Sequence, residues 1–454
     1  MKVMVTGATG FVGKELINRL NEKGHEIVIL TRNAESAKFH LPVHCEIVTW
    51  NPERTALFPS ALKGVDAVIN LAGEGIADAR WSSARKQKII ESRVLSVRRL
   101  INTMTYMSDK PKVFISASAI GLYGNRGDDL LNEADSKGHG FLSDVCQKWE
   151  SEIIKAKDLG VRTVAFRVGM VLGHDGGALN KMLPPFKLGV GGKLGNGSQW
   201  MSWIHINDLV NMMIHAIENH SMDGVFNAVS PNPAKNSEFT KTLGRILNRP
   251  TIFSVPGFVL KIGLGELSEL LLSSQRVNSN KISNTGFEFK YPKLEEALKE
   301  ICGHSYHEIK LEQWVPQPKN RTFSFFKEAK NLERITPKFL KFKVLNQSTP
   351  EIQNGTKLNY RLSLHGIPVN WQSKITDWKP DNKFSDIQLK GPYSHWHHTH
   401  EFEEKNGGTL MKDRVVYKVP FGIAGDLVAG KWIRKDLEAV FNYRYKIIET
   451  LLAH

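Results

Sequence analysis

The stretch that most limits how this chain can fold is its opening, MKVMVTGATGFVG at residues 1–13. Val3, Met4 and Val5 form a short apolar run of the kind that makes a strand buried on both faces. The run gives way to Gly7, Gly10 and Gly13, just where Phe11, Val12, Leu16, Ile17 and Leu20 take up helical spacing. The order is strand, tight turn, helix. Glycine lets the backbone turn sharply and keeps side chains away from the helix N-terminus, whose free N–H groups and dipole favour an anion. The spacing is GxxGxxG in place of the commoner GxGxxG, with strand and helix on the correct sides of it. The pattern predicts a dinucleotide pyrophosphate at this turn.

The same alternation continues. HEIVILT at residues 25–31 reads as a second parallel strand ending at Arg32, about 20 residues beyond the glycines, where the chain meets the adenosine ribose. An acid at that place accepts the 2′-hydroxyl of NAD, whereas an arginine pairs with a 2′-phosphate, so Arg32 points to NADP(H). Further strands are expected at 44–49, 66–71, 112–117 and 161–168, and a long amphipathic helix at 82–107. The fourth strand ends at Leu71 and is followed by Ala72 and Gly73, small enough for backbone to pass close to a cofactor. The expected cofactor contacts are therefore Thr6, Gly7, Gly10, Phe11, Val12, Gly13, Arg32, Leu71, Ala72 and Gly73. Strand–helix alternation of this kind predicts a Rossmann-type, doubly wound parallel sheet with ligands at the carboxyl ends of its strands.

Length and charge set outer bounds. At 454 residues the chain exceeds one compact core. No run approaches the roughly 20 apolar residues that span a bilayer, and Met1 leads straight into a strand, which predicts a cytoplasmic protein. The three cysteines, Cys45, Cys146 and Cys302, fit neither a zinc spacing nor a disulfide framework. A net charge of +15 is dispersed, with no basic tail, and argues for small anionic ligands over nucleic acid.

Several strings carry a resemblance. TGATGFVG at 6–13, NLAG at 70–73, SASAIGLYG at 116–124 and WIHINDL at 203–209 resemble the extended short-chain dehydrogenase/reductase superfamily of nucleotide-sugar epimerases and their relatives. RWSSARKQKIIESRV at 80–94, GGALNKMLPPFKLGVGGKLGNGSQWMSWIH at 176–205 and LLSSQRVNSNKISNTGFEFKYP at 271–292 resemble an atypical, epimerase-like group within it that has its own C-terminal segment. The resemblance implies that Ser118 polarises the reacting oxygen. It also implies a Tyr/Lys pair for acid/base work, but alignment on the helix FLSDVCQKWESEI puts Leu142 and Cys146 there, which supply neither proton nor fixed charge. Tyr123 is then the first candidate donor, with Asp144, Lys148 and His205 behind it. Met201 stands where the nucleotide-sugar enzymes commonly carry a phosphate-binding arginine, which argues against a nucleotide-sugar substrate. His205 is expected to end a strand, with Asn207 or Asp208 capping the next helix.

From about residue 303 the pattern changes to antiparallel strands, as in the alternation of Leu358, Tyr360, Leu362 and Leu364, with a hairpin signal at Asn406-Gly407-Gly408 and a long terminal helix carrying Ile433, Leu437, Phe441 and Ile448 on one stripe. NLERITPKFLKF at 331–342, GPYSHWHHTHEFE at 391–403 and GGTLMKDRVVYKVPFG at 407–422 resemble the cyclase-like branch of the START-related helix-grip superfamily, which implies an α+β domain with a cavity for a hydrophobic ligand. His395 and His397 would share one face of their strand and His398 and His400 the other; with acids only at Glu401 and Glu403, no metal site is expected.

The domains expected are an NADP(H)-binding Rossmann domain at 1–235, the family's C-terminal segment as a small lobe at 236–302, and a helix-grip domain at 303–454. The expected activity is hydride transfer between NADP(H) and an apolar carbonyl or alcohol held by Ser118. The rivals are an inactive NADPH sensor and a lipid-binding protein; oligomeric state is left open.

Overall fold

The structure is a computed structural model and describes residues 1–38, 41–174, 176–303, 306–420 and 422–453, without the side chains of 422–424, 426–428 and 431. The chain divides into two compact units, one of Met1–Ala37 with Cys45–Gly303, the other of Lys38–His44 with His304–His454.

The first unit is built on seven parallel strands: β1 (Lys2–Thr6), β2 (Glu26–Thr31), β3 (Glu46–Thr49), β4 (Ala67–Asn70), β5 (Val113–Ala119), β6 (Arg162–Val168) and β7 (Gly224–Ala228). Their order is β3-β2-β1-β4-β5-β6-β7, so the direction of winding reverses between β1 and β4 and opens a crevice at the carboxyl ends of those two strands. Val3, Met4, Val5, Val68, Ile69, Phe114 and Ile115 are wholly buried, as expected of strands covered on both faces. One face packs against α2 (Ser83–Thr105) and α3 (Phe141–Ile153) through Val97, Leu100, Met104, Trp149 and Ile153. α1 (Phe11–Glu22) buries Leu16, Ile17 and Leu20 and packs on α4 (Ile206–Glu218). The seventh strand, GVFNA, was not expected; five residues without alternation give no periodic signal. Residues 236–302 belong to the first unit and end in the helix Leu294–Gly303.

The second unit is one antiparallel sheet of β8 (His307–Val315), β9 (Lys343–Gln347), β10 (Lys357–Leu364), β11 (Ile367–Lys379), β12 (Lys383–Lys390), β13 (His395–Lys405) and β14 (Gly408–Lys418), in the order β8-β14-β13-β12-β11-β10-β9. The last element, α5 (Gly422–Leu451), buries Leu437, Phe441 and Ile448. Ile448 joins a core with Phe323, Phe326, Phe384 and Phe402, while Leu437 and Phe441 join another with Trp371 and Trp396. Asn406 and Gly407 both adopt positive φ, 51° and 72°, which is the two-residue turn that matches the twist of a tight hairpin. Among the described residues no helix is long and apolar enough to cross a membrane.

Candidate functional site

At the carboxyl end of β1 the chain turns with Gly7 at φ +70°, and a Cβ on that glycine would lie 2.6 Å from the Leu71 carbonyl oxygen. A Cβ on Gly13 would lie 2.2 Å from the Gly7 carbonyl oxygen, so α1 can rest this close to the turn only without a side chain there. Gly10 precedes α1 and donates its N–H to Gly7 at 3.0 Å; no side chain caps the helix. The N-terminus of α1 therefore keeps its free donors and positive dipole end for an anion. Thr6 Oγ1 donates to Asn70 Oδ1 at 2.7 Å and accepts from the backbone N–H of Leu71 and of Ala72, each at 3.2 Å, tying the ends of β1 and β4 together. These residues fit a pyrophosphate cradle: the tight backbone packing that needs glycine at 7 and 13 brings the turn against a helix N-terminus that no side chain caps.

The other expected contacts have neighbours of their own. The Phe11 ring packs against Gly173, Gly176 and Gly177, which leave no room for a Cβ. Val12 is half-buried on the first turn of α1. A Cβ on Gly73 would come 3.1 Å from the Arg93 guanidinium. Arg32 projects from the end of β2, 66% exposed, with Nη1 at 3.5 Å from Glu74 Oε1; Arg85 meets the other Glu74 oxygen at 3.0 Å. Two arginines around one carboxylate form a basic place at the crevice edge, and neither Glu74 nor Arg85 was singled out in the sequence.

Ser118 is the second-to-last residue of β5, 2% exposed, and donates to Glu150 Oε1 at 2.6 Å. Glu150 is gripped by Arg167 of β6 through Nε and Nη2, both at 2.9 Å. Arg167 Nη1 also donates to the Tyr123 hydroxyl at 2.9 Å and to the Glu133 carbonyl at 3.0 Å, and Tyr123 donates to Asn227 Oδ1 at 2.7 Å. The fold thus joins both expected catalytic residues in one buried chain, Ser118–Glu150–Arg167–Tyr123–Asn227. Burial works against the Arg167 charge, but the Glu150 hydrogen bonds and charge raise its pKa overall. Burial raises that of Tyr123, against the pull of Arg167. Tyr123 is 0% exposed and its hydroxyl proton is given to Asn227, so in this arrangement it ties the chain together.

Leu142, Cys146 and Glu150 follow one another at four-residue spacing on α3, and the first two face Gly121. Burial pushes the Cys146 thiol up to about 12, so it is neither nucleophile nor acid at neutral pH. Asp144 and Lys148 are exposed on the same helix. His205 is 1% exposed, contacts Glu300 at 2.9 Å and caps α4 itself by accepting from Asn207 N–H at 3.2 Å, where Asn207 or Asp208 had been expected. Asp208 instead accepts from the Lys290 and Tyr291 amides at 2.8 and 2.9 Å, while burial raises its pKa.

The second unit encloses a cavity of about 530 Å³, lined by apolar residues such as Leu358, Trp371, Phe384, Trp396 and Phe441. As the alternation of β13 predicts, His398 and His400 face inward, each 4% exposed. The expectation that acids were lacking is corrected by register: Asp386 on β12 lies opposite His398, and Asp413 on β14 lies opposite His400. His398 Nδ1 is 3.4 Å from Asp386 and Nε2 is 3.2 Å from Asp413; His400 Nδ1 touches Asp413 at 2.6 Å, out of line for a hydrogen bond. Burial opposes the His398 charge, but the two carboxylates raise its pKa; burial and the neighbouring His398 lower that of His400. Donor atoms of Asp386, His398 and His400 gather within 4.8 Å, yet both His398 nitrogens are taken up by carboxylates, which makes the group a compensated ionic chain.

Against known families, the model described as NAD dependent epimerase/dehydratase family matches residues 3–228, and a domain of unknown function, DUF1731, matches 255–301. An Arabidopsis thaliana protein described as "Epimerase family protein SDR39U1 homolog, chloroplastic" is 39% identical over 66% of this chain and 86% of its own length. The Bacillus subtilis epimerase family protein YfhF is 37% identical over 66% of this chain and 98% of its own. Among solved structures, human epimerase family protein SDR39U1 (isoform 2) with NADPH superposes with a TM-score of 0.60 at 33% identity, over 67% of this chain and all of that one. A nucleoside-diphosphate sugar epimerase from Corynebacterium glutamicum superposes with a TM-score of 0.54 at 34% identity, over 67% of this chain and 58% of its own.

Proposed function

We propose, from the premise that this chain belongs to the NAD dependent epimerase/dehydratase family, that its first unit is an NADP(H)-dependent oxidoreductase or epimerase-like enzyme acting on an apolar carbonyl or alcohol. The observation that carries the cofactor assignment is the uncapped N-terminus of α1 behind Gly7, Gly10 and Gly13, with Arg32 at the end of β2. Thr6, Phe11, Val12, Leu71, Ala72 and Gly73 complete the cradle, and the human relative bound to NADPH supports the same choice. When bound, the nicotinamide exchanges a hydride with the substrate. Ser118, held by Glu150, faces the reacting oxygen; Arg167, itself tied to Tyr123, keeps Glu150 in place. The second unit, which we read as a START-related helix-grip module, holds a hydrophobic ligand in its cavity.

Calorimetry at fixed salt tests the cofactor. NADPH should bind at least about tenfold tighter than NADH, and Arg32→Ala should remove most of that difference, since a charge-assisted hydrogen bond contributes about 1.5–3 kcal/mol. Equal affinities would end the assignment. A second reading, an NADPH sensor without turnover, draws support from Leu142 and Cys146 and from the engaged protons of Ser118 and Tyr123. It gains if Ser118→Ala leaves NADPH affinity intact while wild-type protein oxidises no NADPH with a panel of ketones, enones and aldehydes.

A further inference from the structure

The cavity of the second unit is apolar along most of its wall and charged at one place, lined by Asp386 (β12), His398 and His400 (β13), Arg444 (α5) and Tyr360 (β10), with Asp413 (β14) against the two histidines. Each carboxylate there has an imidazole for a partner: Asp386 contacts His398, and Asp413 contacts His398 and His400. Arg444 has none. No carboxylate among the described residues pairs with it, and its Nε and Nη1 are buried without an acceptor. The Phe441 ring lies 5.1 Å from its guanidinium. A guanidinium withdrawn from water without an acceptor is strongly destabilising, and burial accordingly lowers the Arg444 pKa, against Asp413 and Asp386. The fold retains a cation without a direct carboxylate partner beside an aromatic cavity whose volume, about 530 Å³, suits a small ligand.

An added metal ion would compete with His398 and His400 for carboxylates already engaged, next to a fixed positive charge. An oxygen acceptor meets the demand instead. Asp386 and Asp413 contact His398, which leaves Arg444 the cation without a direct ion pair among the described residues; a carboxylate brings one negative charge to it, where a phosphomonoester would bring nearly two beside the two acids. We propose that the cavity binds an apolar molecule ending in a single carboxylate, a medium- or long-chain fatty acid in chemical class, with the carboxylate held by Arg444. This rests on the reading that the cavity holds an apolar ligand, and adds the identity of its head group.

Trp371, Trp396 and Trp432 line the cavity, so tryptophan fluorescence of the full chain reports occupancy. Decanoate and 1-decanol, below their aggregation limits, are the probes. Decanoate should bind at least about tenfold tighter than decanol, and Arg444→Gln should bring decanoate to the affinity of decanol without changing decanol's own. Should Arg444→Gln fail to fold, Arg444→Lys, which keeps the charge, should retain part of the preference, and the wild-type comparison needs no variant. Equal wild-type affinities would overturn the head-group assignment and leave the cavity reading intact. Binding of neither probe would overturn both.

Discussion

Arg167 and Arg444 pose the same physical problem in two units and solve it differently. Arg167 lies in β6, 7% exposed, with its guanidinium closed by two Glu150 oxygens, the Tyr123 hydroxyl and the Glu133 carbonyl. Arg444 lies on α5 at a cavity wall with Nε and Nη1 unmet. A guanidinium whose donors are all used holds neighbouring residues in register, and here those neighbours are Ser118 and Tyr123. One whose donors are not used stores an unmet demand, and the cavity beside it shows where a ligand would answer it. The pairing state of a buried charge, more than its burial, separates scaffold from binding site.

The sharpest test makes one substitution at both places. Arg167→Met strands Glu150 in the interior and should lower stability by about 3–5 kcal/mol in thermal or denaturant unfolding. Arg444→Met should change it by no more than ~1 kcal/mol, or raise it, because no pair is broken. Equal losses would erase the distinction.

Titration separates the two networks next. The first unit's chain is closed by an arginine, which stays charged across the accessible range, whereas the second unit's chain runs through His398. The His398 pKa is raised, so the stability it contributes is complete below its ordinary value of 6.5 and is lost as pH climbs through the raised one. His398→Gln should flatten that alkaline decline by roughly 1 kcal/mol between pH 6 and 8.5, read as the difference from wild type. Arg167→Met should leave the slope unchanged.

The smallest effect concerns Cys146, beside the closed network. With its thiol pushed up to about 12 and its side chain buried, it should resist iodoacetamide at pH 8 in the folded protein and react fully once unfolded, as mass spectrometry of the Cys146 peptide would show. Rapid labelling in the native state would mean that α3 opens beside Ser118.

What the sequence made legible was local. The turn at Gly7 to Gly13, the strand ending at Arg32 and the Asn406–Gly407 hairpin each lie within a few residues, where propensity and spacing decide the outcome. The networks were not legible, because their partners come from distant strands. The histidines of β13 were weighed against acids on the same strand, while Asp386 and Asp413 arrive through cross-strand register. A signal for the other network was nevertheless present: Arg167 interrupts the apolar run TVAFRV, and a charge inside a buried strand demands a carboxylate. Glu150, four residues beyond Cys146 on the same helix face, was that carboxylate.

The two-residue turn at Asn406 and Gly407 also shapes which changes this gene can absorb. It fixes β13 against β14 residue for residue, from His395 opposite Lys418 to Lys405 opposite Gly408. Because faces alternate with a period of two, inserting or deleting one codon anywhere in β13 would turn His398 and His400 outward on one side of the lesion and bring His397 or Thr399 in. Exposed positions such as Glu401 should accept many replacements, while lineages carrying this hairpin should vary little in its length.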